Sequence, residues 1–302
     1  MVTRRCSQRT FRLRPHALTN HIIRYCVGYA QAKTGVELHA ICIMSNHIHL
    51  VVTDVRGVLP DFVRELDRMV AKAMNAVQGQ WENLWSNDQP HYLTLGEDED
   101  VVAKMAYAVA NPVEAGLVKT PEEWPGVISW AIGDASLETV ARPKEFFGER
   151  SRCPGEVELR MTPTGIPRVA ERFTAQLEAA VTKAHREMRR RGCKFLGPRE
   201  VMRTSFVKRA KSLERKRGLT PRVAARNMFL RIAMLDARRQ FLRDYHAAME
   251  KWRAGDRHTT FPDGTWWMRV YHGVRETGSM PTGGDRDPLA VRGALAVRDA
   301  LN

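Results

Sequence analysis

The chain has 302 residues, 43% of them apolar, with seven tryptophans and a formal charge of +14. That much apolar material can offset the entropy of ordering a packed core, which excludes a wholly disordered chain, and the length suits one large or two modest units. The basic excess points to a polyanionic partner, and nucleic acid fits better than a membrane: no apolar run reaches the roughly 18 residues of a spanning helix, and no apolar signal core follows the basic N-terminus.

Cys6, Cys26, Cys42, Cys153 and Cys193 are scattered, with no C-x-x-C pair. Neither a zinc cage nor a disulfide framework is expected, and the thiols read as those of a reduced protein, cytoplasmic or nucleoid-associated, with a basic nuclear protein as the alternative on cysteine use alone.

Arg4 to Leu13 interleaves basic and hydroxyl residues with Phe11 and Leu13 and stops at Pro15, as a first strand with one solvated face does. A helix is expected over 20–33, with Thr19 as its N-cap, Ile22, Ile23, Cys26, Val27 and Ala30 at helical spacing, and Gly35 closing it. Two β-rich runs, Val36 to Ile43 and His47 to Thr53, flank Met44-Ser-Asn46 and predict a hairpin. Phe62, Leu66, Met69, Val70 and Ala73 place a helix over 59–77, ahead of Gly79. After a loop over 81–88, a short strand is expected near His91 to Leu95, and the acidic stretch Glu97 to Asp100 opens a helix over 98–110, with Pro112 close behind. This order predicts an α+β domain over 1–150, with helices packed on one face of a mostly antiparallel sheet.

Past residue 150 the sequence predicts basic helices over 168–191, 198–217 and 221–253, then a turn and strand over 261–270. A basic, mostly helical unit over 151–277 is expected. The Gly-rich, charged tail over 278–302 has too few large apolar residues to fold alone, so disorder is expected there.

Two residue pairs carry chemistry. Side chains alternate across a strand, so His47 and His49 share a face and can converge on one ion while Ile48 turns into the core. The bland alternative is a pair of histidines on a sheet surface. Tyr107 and Asn111, four apart, project from one helical face. Taken singly, Tyr107 reads as an amphipathic core residue and Asn111 as a helix C-cap before Pro112.

Met44-Ser-Asn-His-Ile-His-Leu-Val-Val52, followed by Tyr107-Ala-Val-Ala-Asn-Pro-Val-Glu-Ala-Gly-Leu-Val118 and Trp124-Pro125, resembles the HUH single-tyrosine transposases. The branch most similar is the prokaryotic REP-associated tyrosine transposases. The resemblance spans about residues 4–130 and leaves the basic helices unmatched. It implies a ferredoxin-like antiparallel sheet, a divalent metal (magnesium or manganese) held by His47, His49 and Asn111, and Tyr107 as nucleophile. It also implies single-stranded or hairpin DNA as substrate, a 5′-phosphotyrosine intermediate, and a monomer or homodimer. A histidine-triad hydrolase would need a third alternate histidine where Val51 stands, and a two-histidine phosphoesterase needs two H-x-T/S motifs where His258-Thr-Thr260 supplies only one. The rival from another class is a descendant that binds DNA hairpins without cutting.

Binding is assigned to the basic run that includes Arg189, Arg190, Arg191, Lys208, Arg209 and Lys211, with Arg4, Arg5, Arg9 and Arg12 near the first strand better placed for DNA close to the site. A solvated helical surface is the alternative for the run. Trp266 and Trp267 suit either core packing or stacking on unpaired bases.

Overall fold

The computed structural model describes residues 1–148, 151–211 and 221–277. Strand β1 (Val2–Arg5) ends where Gln8 and Arg9 turn the chain at φ 51° and 57°, so the first strand is shorter than its alternating pattern suggested. Helix α1 (Ala17–Thr34) starts one turn earlier than expected. His16, not Thr19, is its N-cap, accepting from the Leu18 amide, and Gly35 closes it at φ 72°. The hairpin follows as β2 (Glu37–Ile43) and β3 (His47–Thr53), and then α2 (Leu59–Gln78), ending at Gly79. Two short strands, β4 (His91–Tyr92) and β5 (Thr94–Leu95), lead into α3 (Asp98–Glu114).

Three more strands, β6 (Ile128–Trp130), β7 (Ser136–Ala141) and β8 (Glu156–Met161), complete a seven-stranded mixed sheet of order β4-β1-β3-β2-β8-β7, with β6 also on β2. Every pairing is antiparallel except β2 with β8. A register shift between Leu38 and Ala40 gives β2 one extra residue, His39. Because of it, Leu38, Ile41 and Ile43 share the core with α1 and α2, while Ala40 and Cys42 face the other way.

That second face is also covered, by α3 and by α4 (Val169–Arg190), so helices lie on both faces and not on one. The physical reason is visible in β2. Five apolar residues occupy Leu38 to Ile43, and a strand without alternation is buried on both sides. Val102, Met105, Ala106 and Val109 of α3 supply the second apolar layer, and Phe173 of α4 closes over it.

The sheet expected to lie within residues 1–150 runs past that point, since β8 pairs with β2 and β7. β8 buries Val157, Leu159 and Met161 by strict alternation, and α4 runs alongside α3, so the sheet unit continues to about residue 190. The next helix, α5 (Pro198–Arg203), stops at Thr204, which turns extended, and the chain then runs beside residues 9–11. The rest of the helix expected to 217 lies outside the described residues, as does the tail expected over 278–302. Residues 221–227 are not helical either, because β9 (Val223–Ala224) pairs with β5. Helix α6 (Met228–Arg253) begins only where Asn227 Oδ1 accepts from the Phe229 and Leu230 amides. The strand expected over 261–270 is instead α7 (Trp266–His272). Its β-forming residues turn helical because Trp266 Nε1 donates to Asp61 Oδ2 at 2.7 Å, an anchor on α2 that local preference cannot register.

α1 crosses β8 closely at Gly28, where a Cβ would stand 2.9 Å from both Glu158 O and Val157 Cγ2. Gly28→Ala is expected to destabilise the fold by about 1–3 kcal/mol through overpacking, read as a lower midpoint of chemical unfolding.

Candidate functional site

The site forms where β3 passes beneath α3. Ile48 and Leu50 point into the α1–α2 core, which turns His47 and His49 to the opposite face. Their rings lie edge to face with centroids 4.7 Å apart. His47 Nδ1 is 2.7 Å from Asn46 Oδ1. An amide oxygen can only accept, so Nδ1 carries a proton, and in the neutral ring Nε2 holds the lone pair.

His49 is 4% exposed, and its Nδ1 lies 3.1 Å from the Thr3 hydroxyl of its cross-strand neighbour on β1. Its Nε2 is buried with no hydrogen-bond partner among the described residues. A neutral polar atom left so costs roughly 1–3 kcal/mol, and donation of its lone pair to a cation would satisfy it. Burial, then the charges of His47, Arg5 and Lys104, hold the His49 imidazole well below its usual range. A neutral imidazole is the form that ligates metals.

α3 brings the second pair. Its N-terminus carries the capping box of Glu97 and Asp100. It runs past residue 110, through Pro112 to Glu114, so Asn111 is an interior helix residue and not a cap. The Asn111 carbonyl accepts from the Ala115 amide at 2.9 Å, while its side-chain amide lies beside Tyr107 and favours the ionised phenol. The Tyr107 ring lies 5.5 Å from the His49 ring, edge to face, and is 38% exposed, so it borders the histidine on one side and remains open to solvent. Partial burial, then the charge of Glu114, raises the phenol above its usual range, against the Asn111 amide and Arg5. Tyr107 therefore rests protonated.

The run after Asn111 has a packing role. Val113, Val118 and Trp124 cluster with Cys42 and Met44, and the Trp124 indole donates to Ile43 O at 3.0 Å, tying the end of α3 to the hairpin. Sequence reasoning missed Thr3, Asn46, Lys104 and Glu114. Lys104 stands 5.2 Å from the Tyr107 ring centroid. The stripe Lys104, Tyr107, Asn111, Glu114 was readable from helical spacing; the Thr3 contact depends on strand pairing.

The arginines near the first strand divide. Arg4 Nε lies 3.0 Å from the half-buried Asp67 carboxyl and its guanidinium also reaches Asp88 O and the Trp85 ring. Arg12 is 6% exposed and donates to Gln78 Oε1 and Asn75 Oδ1 of α2. Both side chains are turned toward α2 and engaged by its polar groups, which leaves little of either open to a DNA surface contact. Arg5 is exposed, faces His47 across the β1–β3 ladder and acts electrostatically on His49 and Tyr107. Arg9 O accepts from the Ala210 amide and Lys208 O from the Phe11 amide, which carries exposed Lys208, Arg209 and Lys211 toward the β2–β3 turn. That turn is held from the same side, since Ser45 O and Asn46 O accept from the Leu13 and Cys6 amides. Arg189, Arg190 and Arg191 are exposed at the far end of α4, the last two paired with Glu187 at 2.8 and 2.5 Å.

Among the described residues no three His, Cys, Asp or Glu side chains gather as a metal cage, and no helix is long and apolar enough to cross a membrane. The candidate donor set is instead two imidazoles and the Asn111 amide, and the orphaned Nε2 fits such an ion. No family model, curated protein or solved structure matches the chain.

His49 and His39 both have depressed folded-state values, chiefly through burial. The unfolded chain therefore takes up protons first as pH falls through 6.5, and stability present above that pH is lost below it. Unfolding titrations in chelator are expected to show a loss of up to about 1.4 kcal/mol per pH unit for each such imidazole, with a shallower slope in His49→Gln.

Proposed function

We propose that the protein cuts and rejoins single-stranded DNA as an HUH single-tyrosine transposase or nickase of the REP-associated kind. In this reading Tyr107 is the nucleophile and His47, His49 and Asn111 hold a divalent ion, magnesium or manganese. The observation that carries it is the buried, unpartnered Nε2 of His49 beside the ring of Tyr107, which shares a helix face with Asn111. The chain order βαββαβ, with the central strands in order β4-β1-β3-β2, supports the ferredoxin-like arrangement that the sequence resemblance implies.

The bound ion would polarise the scissile phosphate and offset charge as it develops. The protein's own groups do the rest. Asn111 and the rigid α3 fix the direction of the Tyr107 oxygen, and Arg5 and Lys104 supply a positive field that favours the phenolate. Tyr107 Oη attacks phosphorus, the bond from phosphorus to the 3′ oxygen breaks, and that oxygen leaves as a 3′-hydroxyl carrying the proton. The product is a 5′-phosphotyrosine. Attack by a 3′-hydroxyl reverses the exchange, so strands rejoin without ATP. Arg5, Arg9, Lys208 and Arg209 form the basic side along which a single strand or hairpin would lie.

A labelled single strand with magnesium or manganese should yield a covalent, protease-sensitive adduct that vanishes in chelator. Tyr107→Phe should lose the adduct and keep DNA affinity; an adduct formed by that variant sinks the assignment, and affinity without any wild-type adduct leaves the non-cutting hairpin binder. Thr3→Val should weaken metal activation about 10–100-fold by freeing the His49 ring, seen in the metal concentration that gives half-maximal adduct. Removing the charges of Lys208 and Arg209 should flatten the salt dependence of binding, lowering its log–log slope by about 0.7 for each phosphate no longer neutralised.

A further inference from the structure

We propose a second nucleic-acid site, between α6 and α7, that receives an unpaired base of single-stranded DNA outside the cleavage centre. It rests on the nucleic-acid reading above but not on cleavage. A cavity of about 470 Å³ opens there, with Tyr245, Trp252 and Arg253 on the α6 side and Trp267, Met268 and His272 on the α7 side. That volume lies within the roughly 300–1,000 Å³ of small-ligand sites.

The disposition of the rings is what a base requires. Trp267 and Tyr271, one helical turn apart, lie together with centroids 4.2 Å apart, yet they are 45% and 43% exposed. A core role would bury both. Instead the platform is held from beneath: Met268 and Trp266 are buried, Trp266 is anchored on Asp61, and Arg64 donates to the Tyr271 hydroxyl at 2.6 Å. Trp252 on the α6 side carries a further cation, Arg257, 4.5 Å from its ring centroid, while Arg253 lines the cavity itself.

Arg253 and His272 offer donors at the rim, and no carboxylate among the described residues lines the cavity. Aromatic faces with flanking cations and no acid match an unpaired nucleotide, whose base stacks and whose phosphate is anionic. An apolar peptide would use the rings but not the cations. Sequence preference is expected to be weak, because every base has a π-face.

The test uses the full chain in chelator, so that no cleavage contributes, with fluorescence anisotropy of a labelled thymidine oligonucleotide as readout. Trp267→Ala should weaken binding about 5- to 150-fold, the range for removal of one base stack, whereas Trp267→Phe should keep most of the affinity. An oligonucleotide of the same length with abasic positions should bind the wild type about as weakly as the intact strand binds Trp267→Ala, and the two defects should not add. Equal affinity of wild type and Trp267→Ala for the intact strand, or of the wild type for intact and abasic strands, would overturn the proposal. Thymidine monophosphate should compete where inorganic phosphate does not; competition by phosphate alone would reduce the site to an anion contact and also overturn it. Because the adduct is scored separately with metal present, loss of the cleavage reading and loss of this site give different results.

Discussion

Burial of β3 on both faces governs the rest of the molecule. Period-two alternation sends Ile48 and Leu50 into one apolar layer and His49 and Val51 into the other. A histidine is thereby carried into the interior, under α3, where its Nε2 meets no hydrogen-bond partner among the described residues. The surrounding packing holds it there: α1 and α2 press from one side, α3 and α4 from the other, and Trp124 clamps the hairpin's end. A protein tolerates an unsatisfied buried nitrogen only when the fold enforces its position or something else is meant to satisfy it.

The charges around this centre are arranged in layers. Nearest the rings stand Arg5 and Lys104, which disfavour protonation of His49, and Arg5 also opposes the upward pull of burial on Tyr107. Glu114 works in the other direction, and its own carboxyl is raised by burial against the charges of Lys183 and Lys104. Farther out, the 205–211 segment lies against residues 9–11 and adds positive charge beside the β2–β3 turn. The basic excess of the composition is therefore partly organised near the site, although some of it is spent on structure, as at Arg4 and Arg12.

The C-terminal part is bound into the sheet unit rather than hung from it. β9 pairs with β5 just ahead of α3, Gly96 passes so close to α6 that a Cβ would stand 2.9 Å from the Met234 sulfur, and α7 anchors on Asp61 at the start of α2. Whatever engages α6 and α7 therefore acts on a frame continuous with β5 and the helix that bears Tyr107.

The sequence alone determined the hairpin, the shared face of His47 and His49, the spacing of Tyr107 and Asn111, and the glycine ends of α1 and α2. All follow from short-range geometry: strand alternation, the helical turn and the left-handed preference of Gly35 and Gly79. Only the tertiary structure decided that both sheet faces are covered, that β8 and α4 belong to the first unit, that Trp266 to His272 coil into a helix, and that Arg4 and Arg12 point inward. These depend on partners far along the chain, such as Asp61 for Trp266 and Gln78 for Arg12. The meeting of Tyr107 with His49 is of the same kind, because residues nearly sixty positions apart come together only once α3 has a sheet face to bury.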